Sequence, residues 1–386
     1  MTAPRFPPYY LALSLLLTLF ACGPDEPVAL RDPDGGDLPD TYDWAGTADS
    51  TQEATYTTYL GSEGTFAENN LGSDNFQYWP NAHVLHTLVD GYVRTGDAAY
   101  QNRMINLLRG IKSRNGGSFS NVFNDDMLWL GNASVRAYRA TDNEEYLDAA
   151  KFLWNDVLES YSDKFGGGIA WRKDTPNSKN AVSNGPAIVL AMRLYEVEQD
   201  SSYLTWATEL YNWQRENLVD PVSGLVWDNI SEENGQVTVN KDWIFTYNVG
   251  TWIGAGLRLY ETTGNRGYLE EAVKSAKSMM VSPKLTTDGV LRDEGQGDGG
   301  LFKGILVRYF TELIQQPDIS EADRAQFVDF IRFNAETLHD KGLRRPAMLA
   351  GPDWSRQPGD RIDLTTQISA VMLLEAMAKL EAAGIL

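Results

Sequence analysis

Two carboxylates stand side by side in Asn124-Asp125-Asp126-Met127-Leu128-Trp129-Leu130, and an aromatic-rich apolar stretch follows at once. Acids so placed suit proton transfer and attack on an electrophilic carbon. Two close carboxyls cannot both ionise freely, so one keeps a proton while the other stays charged. Asn124 is the expected helix N-cap, which puts Asp125 and Asp126 in or beside the first turn. Acids are common there for a plainer reason, because the backbone N–H groups and the helix dipole favour negative charge. The pair alone does not separate a chemical role from a structural one; the elements around it must.

An internal repeat supplies those elements. Tyr92 and Tyr100, Tyr138 and Tyr146, Tyr195 and Tyr203, and Tyr260 and Tyr268 are each eight residues apart. Asp97, Asn143, Asp200 and Asn265 stand three residues before the second tyrosine, where an N-cap belongs, and Gly96 and Gly264 serve as helix stops. The units recur every 46 to 65 residues, so each reads as a helix, a tight turn and a second helix. Leading helices, as over 187–194 and 250–259, are apolar nearly all round. Trailing helices are one-sided: Tyr203, Trp206, Ala207, Leu210, Tyr211 and Trp213 follow the 3.6 period, with Glu209, Arg215 and Glu216 opposite. The first kind belongs in an inner layer and the second outside it. Weaker signals pair 300–313 with 320–338, and a first helix near 51–60 with the last, 364–383. Six pairs make an all-α (α/α)6 barrel the expected fold. An open superhelix of helical repeats is the alternative, but the uneven units and long loops favour closure.

Each leading helix begins at a polar, glycine-rich or aromatic cluster. In order these are Tyr78-Trp79-Pro80-Asn81-Ala82-His83, the aspartate pair, Ser183-Asn184-Gly185-Pro186, Phe245-Thr246-Tyr247-Asn248, Gly297-Asp298-Gly299-Gly300-Leu301-Phe302-Lys303 and Asp363-Leu364-Thr365-Thr366-Gln367. If the inner helices run parallel, all six meet at one mouth and form a ligand pocket. Helix capping alone does not require Trp79, Trp129 and Tyr247 alongside, which moves the reading of the aspartates from structural to catalytic.

Composition narrows the ligand. The formal net charge is −20 over 386 residues, and no basic patch is interleaved with aromatics, so nucleic acid is not expected as a partner. With 11 Trp and 18 Tyr, aromatics remain for a binding surface after the core is filled, and a neutral ligand such as a glycan fits. His83, His86 and His339 are the only histidines. The first two have a spacing compatible with metal ligation, but no HExxH pattern surrounds them, so neither a metal nor another cofactor is expected.

The sole cysteine, Cys22, rules out an intrachain disulfide and closes an apolar run, ending in Leu19-Phe20-Ala21-Cys22-Gly23, that resembles a bacterial lipobox. The expected organisation is a signal peptide over 1–21, a lipidated Cys22 with an acidic flexible tether over 22–43, and the barrel over 44–386. Gly23 after the cysteine is typical of release to the outer membrane, so an envelope lipoprotein is expected, held to the membrane by its lipid anchor alone and monomeric.

At the clusters the sequence resembles glycoside hydrolase family 76, the endo-α-1,6-mannanases. The matching blocks are Asp125-Asp126-Met127-Leu128-Trp129, Gly166-Gly167-Gly168-Ile169, Lys179-Asn180-Ala181-Val182-Ser183-Asn184-Gly185-Pro186, Phe245-Thr246-Tyr247-Asn248 and Gly297-Asp298-Gly299-Gly300-Leu301-Phe302-Lys303-Gly304, in family order from about Trp44 onward. Departures are Ala170, where a bulkier residue is common, and Val249, where Gln is; both are positions that could alter subsites. The resemblance implies an (α/α)6 barrel and a mannan polysaccharide as substrate. It implies Asp125 as nucleophile and Asp126 as general acid/base of a retaining reaction, which needs two carboxyls about 5–5.5 Å apart. Asp228, after Leu225-Val226-Trp227, matches a family position and is a candidate for bonding sugar hydroxyls or developing positive charge. Asn184, Tyr247, Asn248 and Asp298 are further hydroxyl-binding candidates, and His83 is a candidate contact beside Trp79. Trp79, Trp129, Trp171 and Trp354 are candidates for stacking on pyranose faces. Two other readings share these features: a non-catalytic glycan-binding lipoprotein, which the intact aspartate pair argues against, and a transglycosylase on mannose-containing glycans.

Overall fold

A computed structural model describes residues 42–386, of which 43–386 form one compact unit. The expectations for residues 1–41, including lipidation of Cys22, lie outside the described residues. Twelve long helices follow in order: α1 (Trp44–Tyr59), α2 (Tyr78–Thr95), α3 (Ala98–Arg114), α4 (Asn124–Thr141), α5 (Glu144–Leu158), α6 (Ala181–Glu198), α7 (Ser201–Leu218), α8 (Thr246–Thr263), α9 (Arg266–Val281), α10 (Gly299–Gln315), α11 (Glu321–Thr337) and α12 (Leu364–Ala382). The even-numbered helices pack each against the next, and α12 returns to α2, so the inner layer is a closed ring. That closure excludes an open superhelix. The odd-numbered helices lie outside, with α1 against α12. The fold is the all-α barrel of six helix pairs, and α1 starts earlier than the apolar pattern alone indicates.

Burial explains the two layers. Every residue of α6 from Ala181 to Leu194 is buried, whereas α7 buries one stripe, including Tyr203, Ala207, Leu210, Tyr211 and Trp213. The capping chemistry divides the same way. Asp43, Asn143, Asp200, Asn265, Asp97 and Ser320 each cap an outer helix with their side chain. No inner helix is capped by the side chain of its own N-cap residue. Outer helices therefore carry local start signals, and inner ones rely on the loops that reach them.

Close packing in the ring depends on small residues. A Cβ on Gly250 would lie 2.6 Å from Leu306 Cα, where α8 crosses α10 backbone to backbone. Gly250→Ala should cost about 1–3 kcal/mol by forcing these helices apart. A thermal melt reads it as a fall of about 1–4 °C for a domain of this size, and an unchanged melting temperature would show that the contact yields freely.

Three short strands depart from an all-helical chain. β1 (Ser178–Asn180), β2 (Asn229–Glu233) and β3 (Gln236–Val239) form an antiparallel sheet in that order. The β2–β3 turn is Asn234-Gly235, both at positive φ, a two-residue hairpin geometry these residue types favour. Two smaller antiparallel ladders pair Thr286–Thr287 with Val290–Leu291, and Leu343–Arg344 with Leu349–Ala350.

The ring is sealed where chain beginning and end meet. Gln52 of α1 donates to Glu375 of α12 and to the Thr87 carbonyl of α2. Tyr59 donates to the Ile362 carbonyl at 3.1 Å, and Gln367 of α12 to Thr55 at 3.0 Å.

Candidate active site

The inner helices all start at one mouth. A cavity of about 480 Å³ there is lined by Tyr78 and Trp79 from α2, Asp125, Asp126 and Trp129 from α4, Val182 from α6, Tyr247 from α8, and Asp298 and Phe302 from the start of α10. The start of α12 lines an adjoining hollow with Gln77, Gly297 and Asp298. Loops complete the wall with Phe123, Trp171, Asp228, Trp243 and Phe245, and the sheet adds Ser178, Asn180 and Asn229.

The aspartates sit in the first turn of α4, but Asn124 is not their cap. Phe123 holds the N-cap position without a side-chain bond, and Asn124 is the first helical residue. Its amide nitrogen donates to the Ala170 carbonyl at 2.9 Å, and its backbone N–H to the Trp171 carbonyl at 3.0 Å. The asparagine thus ties the helix start to the glycine-rich loop and brings Trp171 over the acids. Trp129 lies four residues after Asp125 and three after Asp126, so all three share one helix face.

Burial pushes both carboxyls above their ordinary range. For Asp125 the first-turn amides and the Trp171 indole N–H partly counter that push, and Asp298 adds to it. For Asp126 the charges of Asp125 and Asp298 reinforce it. Asp126 accepts a hydrogen bond from Asn121 at 3.3 Å, while Asp125 Oδ1 has no hydrogen-bond partner. Four carboxylates, Asp125, Asp126, Asp228 and Asp298, line this cavity, and no Lys, Arg or His does so among the described residues. With no cation to compensate them, the pair holds a proton near neutral pH.

Asp228 is fixed from three sides. Asn248 Nδ2 reaches Oδ1 at 3.1 Å, the Tyr247 hydroxyl approaches the same oxygen at 3.4 Å, and Asn180 Nδ2 reaches Oδ2 at 3.3 Å. Burial raises its pKa, and the Asn248 and Tyr247 bonds hold it down in part. Tyr247 is stacked on Phe302, ring centroids 3.9 Å apart. Trp79 donates its indole N–H to Asp298 at 3.0 Å. Trp79, Trp129, Asp228, Tyr247 and Asp298 thus lie around the aspartate pair, as does Trp171.

Four other candidates lie elsewhere. Asn184 is buried, its Nδ2 hydrogens go to the Ile169 and Asn180 carbonyls, and its Oδ1 accepts from Ile169 N–H at 2.8 Å. It pins the glycine-rich loop to α6 and has no hydrogen left for a ligand. Asn248 faces Asp228 beneath the cavity wall and acts through it. His83 is buried below Trp79 and Trp129, its ring 4.8 Å from that of Trp129, and Arg308 donates to its Nδ1 at 3.2 Å. Burial and the Arg308 charge push its pKa well down, so it stays neutral. Trp354 is fully buried with the Lys303 ammonium 4.0 Å from its ring centre, so it is unavailable for stacking on a sugar. Ala170 and Val249 are also buried and off the cavity wall. Among the described residues no group of three or more His, Cys, Asp or Glu gathers that could hold a metal ion.

Sequence reasoning missed the sheet and Trp243. That tryptophan is 57% exposed at the rim, three residues before α8. The signal existed: the alternation in Gln236-Val237-Thr238-Val239 after Asn234-Gly235 is a hairpin pattern. It places Asn180 and Asn229 opposite one another in the register that frames Asp228.

Known proteins share this architecture. The structure of the α-1,6-mannanase GH76A from Salegentibacter sp. HEL1_6 superposes with a TM-score of 0.87 at 54% identity, covering 88% of this chain and all of that one (100%). An inactive variant of that protein, with two adjacent aspartates replaced by asparagine and α-1,6-mannotriose bound, gives 0.86 over the same shares. The mannan endo-1,6-alpha-mannosidase DCW1 of Saccharomyces cerevisiae is 31% identical over 156 residues, 37% of this chain and 34% of that protein. The model of glycosyl hydrolase family 76 matches residues 43–385, the whole ring with its loops. This chain is therefore a glycoside hydrolase and belongs to family 76.

Proposed function

We propose that the protein is a retaining endo-hydrolase of α-1,6-linked mannan, with Asp125 as nucleophile and Asp126 as general acid and then general base. The observation that carries this reading is a cavity with aromatic walls, four carboxylates and no lining cation among the described residues. Glycosidic cleavage passes through a transition state with positive charge on the sugar ring, which such a cavity favours. Trp79 and Trp171, partly exposed on the cavity wall, offer faces for pyranose rings, while Trp129 is buried against His83 and leaves only an edge to the cavity. Asp228, held by Asn180, Tyr247 and Asn248, is poised for hydroxyls or the developing charge. Burial and neighbouring charges raise the proton affinity of Asp126, which suits a residue that must arrive protonated, and the division of roles between the two rests on the family resemblance. A similar mannanase is inactive when two adjacent aspartates are both replaced by asparagine, which supports a catalytic role for a neighbouring pair without dividing the roles within it.

The test is digestion of a linear α-1,6-mannooligosaccharide and of debranched mannan, followed by chromatography and NMR. Internal cleavage should yield a ladder of oligomers whose first-formed reducing ends keep the α configuration; inverted products, or release of terminal mannose alone, would refute the reading. The same assay across pH should give a bell-shaped kcat/KM. It rises as the dyad loses its first proton and falls as it loses the second, with both apparent values above that of a free aspartate.

The sequence around Cys22 supports an envelope lipoprotein as the cellular form. Cys22→Ala should then move the protein from membrane to soluble fractions of its host; retention in the membrane would argue against a lipid anchor at that residue.

A further inference from the structure

A second cavity, of about 330 Å³, opens among the later turns of α2, α4, α10 and α12, away from the helix starts that carry the aspartates. Seven of its thirteen lining residues are charged, Arg94, Arg136, Arg308 and Lys379 against Asp90, Glu312 and Glu375, set among apolar surface. The carboxylates are already engaged. Asp90 pairs with Arg136 at 2.7 Å and Glu375 with Arg94 at 2.8 Å. Glu312 is held by Arg258 at 2.9 Å, with Arg193 at 3.6 Å, neither of which lines the cavity. Arg308 and Lys379 are left with no ion pair among the described residues.

Arg308 is the telling member. It is only 9% exposed, and its hydrogen bonds go to a neutral histidine, His83, and to the Met372 sulfur at 3.5 Å. Its Nε has no partner at all. A buried guanidinium with no carboxylate at ion-pair distance, only the more distant Asp90, is costly unless something else supplies the charge. Helix dipoles explain part of the basic wall, since Arg94 and Lys379 lie in the last turns of α2 and α12. They do not explain Arg308, which stands seven residues before the end of α10, beyond the reach of that effect. A planar guanidinium with free donors on a cavity floor matches the oxygens of a small oxyanion.

We propose that this cavity binds a small oxyanion, a phosphate, a sulfate or a carboxylate, gripped by Arg308 at its floor and Lys379 at its rim. The site is separate from the sugar cavity and does not depend on the glycosidase reading. The experiment is calorimetric melting of the full chain in sodium phosphate, sodium sulfate or sodium acetate, each matched in ionic strength with sodium chloride. At least one oxyanion should raise the melting temperature in proportion to the logarithm of its concentration above the dissociation constant, by about 4 °C at a hundredfold excess over that constant; which salt does so identifies the anion class. Lys379→Glu, at an exposed position, should weaken the apparent affinity at least tenfold, and Arg308→Met should abolish the response. Absence of a logarithmic rise with all three salts would overturn the proposal, as would a response unchanged in Lys379→Glu, a variant whose folding is not at stake.

Discussion

Asp125→Asn should lower kcat on α-1,6-mannan by at least about 10⁴-fold, and Asp126→Asn by about 10²–10⁴-fold, with KM little changed in either. The two losses separate with a substrate carrying an aryl leaving group. Such a group departs without a proton, so Asp126→Asn should recover its first step and Asp125→Asn should not. Full hydrolysis of mannan by either variant would end the account. Both variants should nevertheless be more stable than the parent at neutral pH. Each carboxyl has a folded pKa above its unfolded value. The folded state thus binds these protons more tightly, and the stability present below the unfolded pKa is lost as pH rises towards the folded one. Asparagine cannot ionise and escapes that loss, so each variant should melt above the parent at pH 7–8. The gap should close towards pH 4. Variants that melt lower than the parent at pH 7 would show that the buried charge is compensated in some other way.

Lys179→Met should be the most damaging substitution outside the cavity. Lys179 is fully buried, and its ammonium donates to the carbonyls of Ser162, Lys164 and Gly167 at 2.5, 2.8 and 2.5 Å. It gathers the loop that continues through Gly168, Ile169 and Ala170 to Trp171. Removing the ammonium leaves three carbonyls without their donor, a cost of about 3–5 kcal/mol, or about 4–7 °C. The same loop supplies the carbonyls that anchor Asn124 and sets Trp171 beside Asp125. Catalysis should therefore fall as well, by about 10–100-fold in kcat, because the reacting groups lose their register. A variant that melts within 1 °C of the parent would show that the loop holds itself.

The contrast between these predictions reflects what a sequence can disclose. The tyrosine pairs and their capping residues exposed the helix units because capping is local chemistry: Asp97, Asn143, Asp200 and Asn265 bond amides two residues away. The meeting of the six helix starts was also legible, since it follows once the inner helices are parallel. Depth was not. Tyr247 and Asn248 are adjacent, yet one lines the cavity and the other stands behind it, because successive helical side chains point about 100° apart. Asn184 failed in the same way, as a polar residue in the right cluster but on the buried side, and Trp354, outside the clusters, proved to be a fully buried core aromatic. Asn124 was misread because its bond partner, the Ala170 carbonyl, lies 46 residues away. Lys179 was visible only as a letter in a motif; three carbonyls converging on one ammonium are a property of the folded loop.

The seam between α1 and α12 has a bearing on how the molecule is made. A nascent chain leaving the ribosome has five of the inner helices long before it has the sixth, and until then α1 has only its few contacts with α2 to seat against. The polar side chains of Thr55 and Tyr59 wait for partners at Gln367 and Ile362, and Gln52, already bonded to the Thr87 carbonyl, waits for Glu375. A working mouth consequently needs α12, and a product that stops short of residue 364 is an open arc.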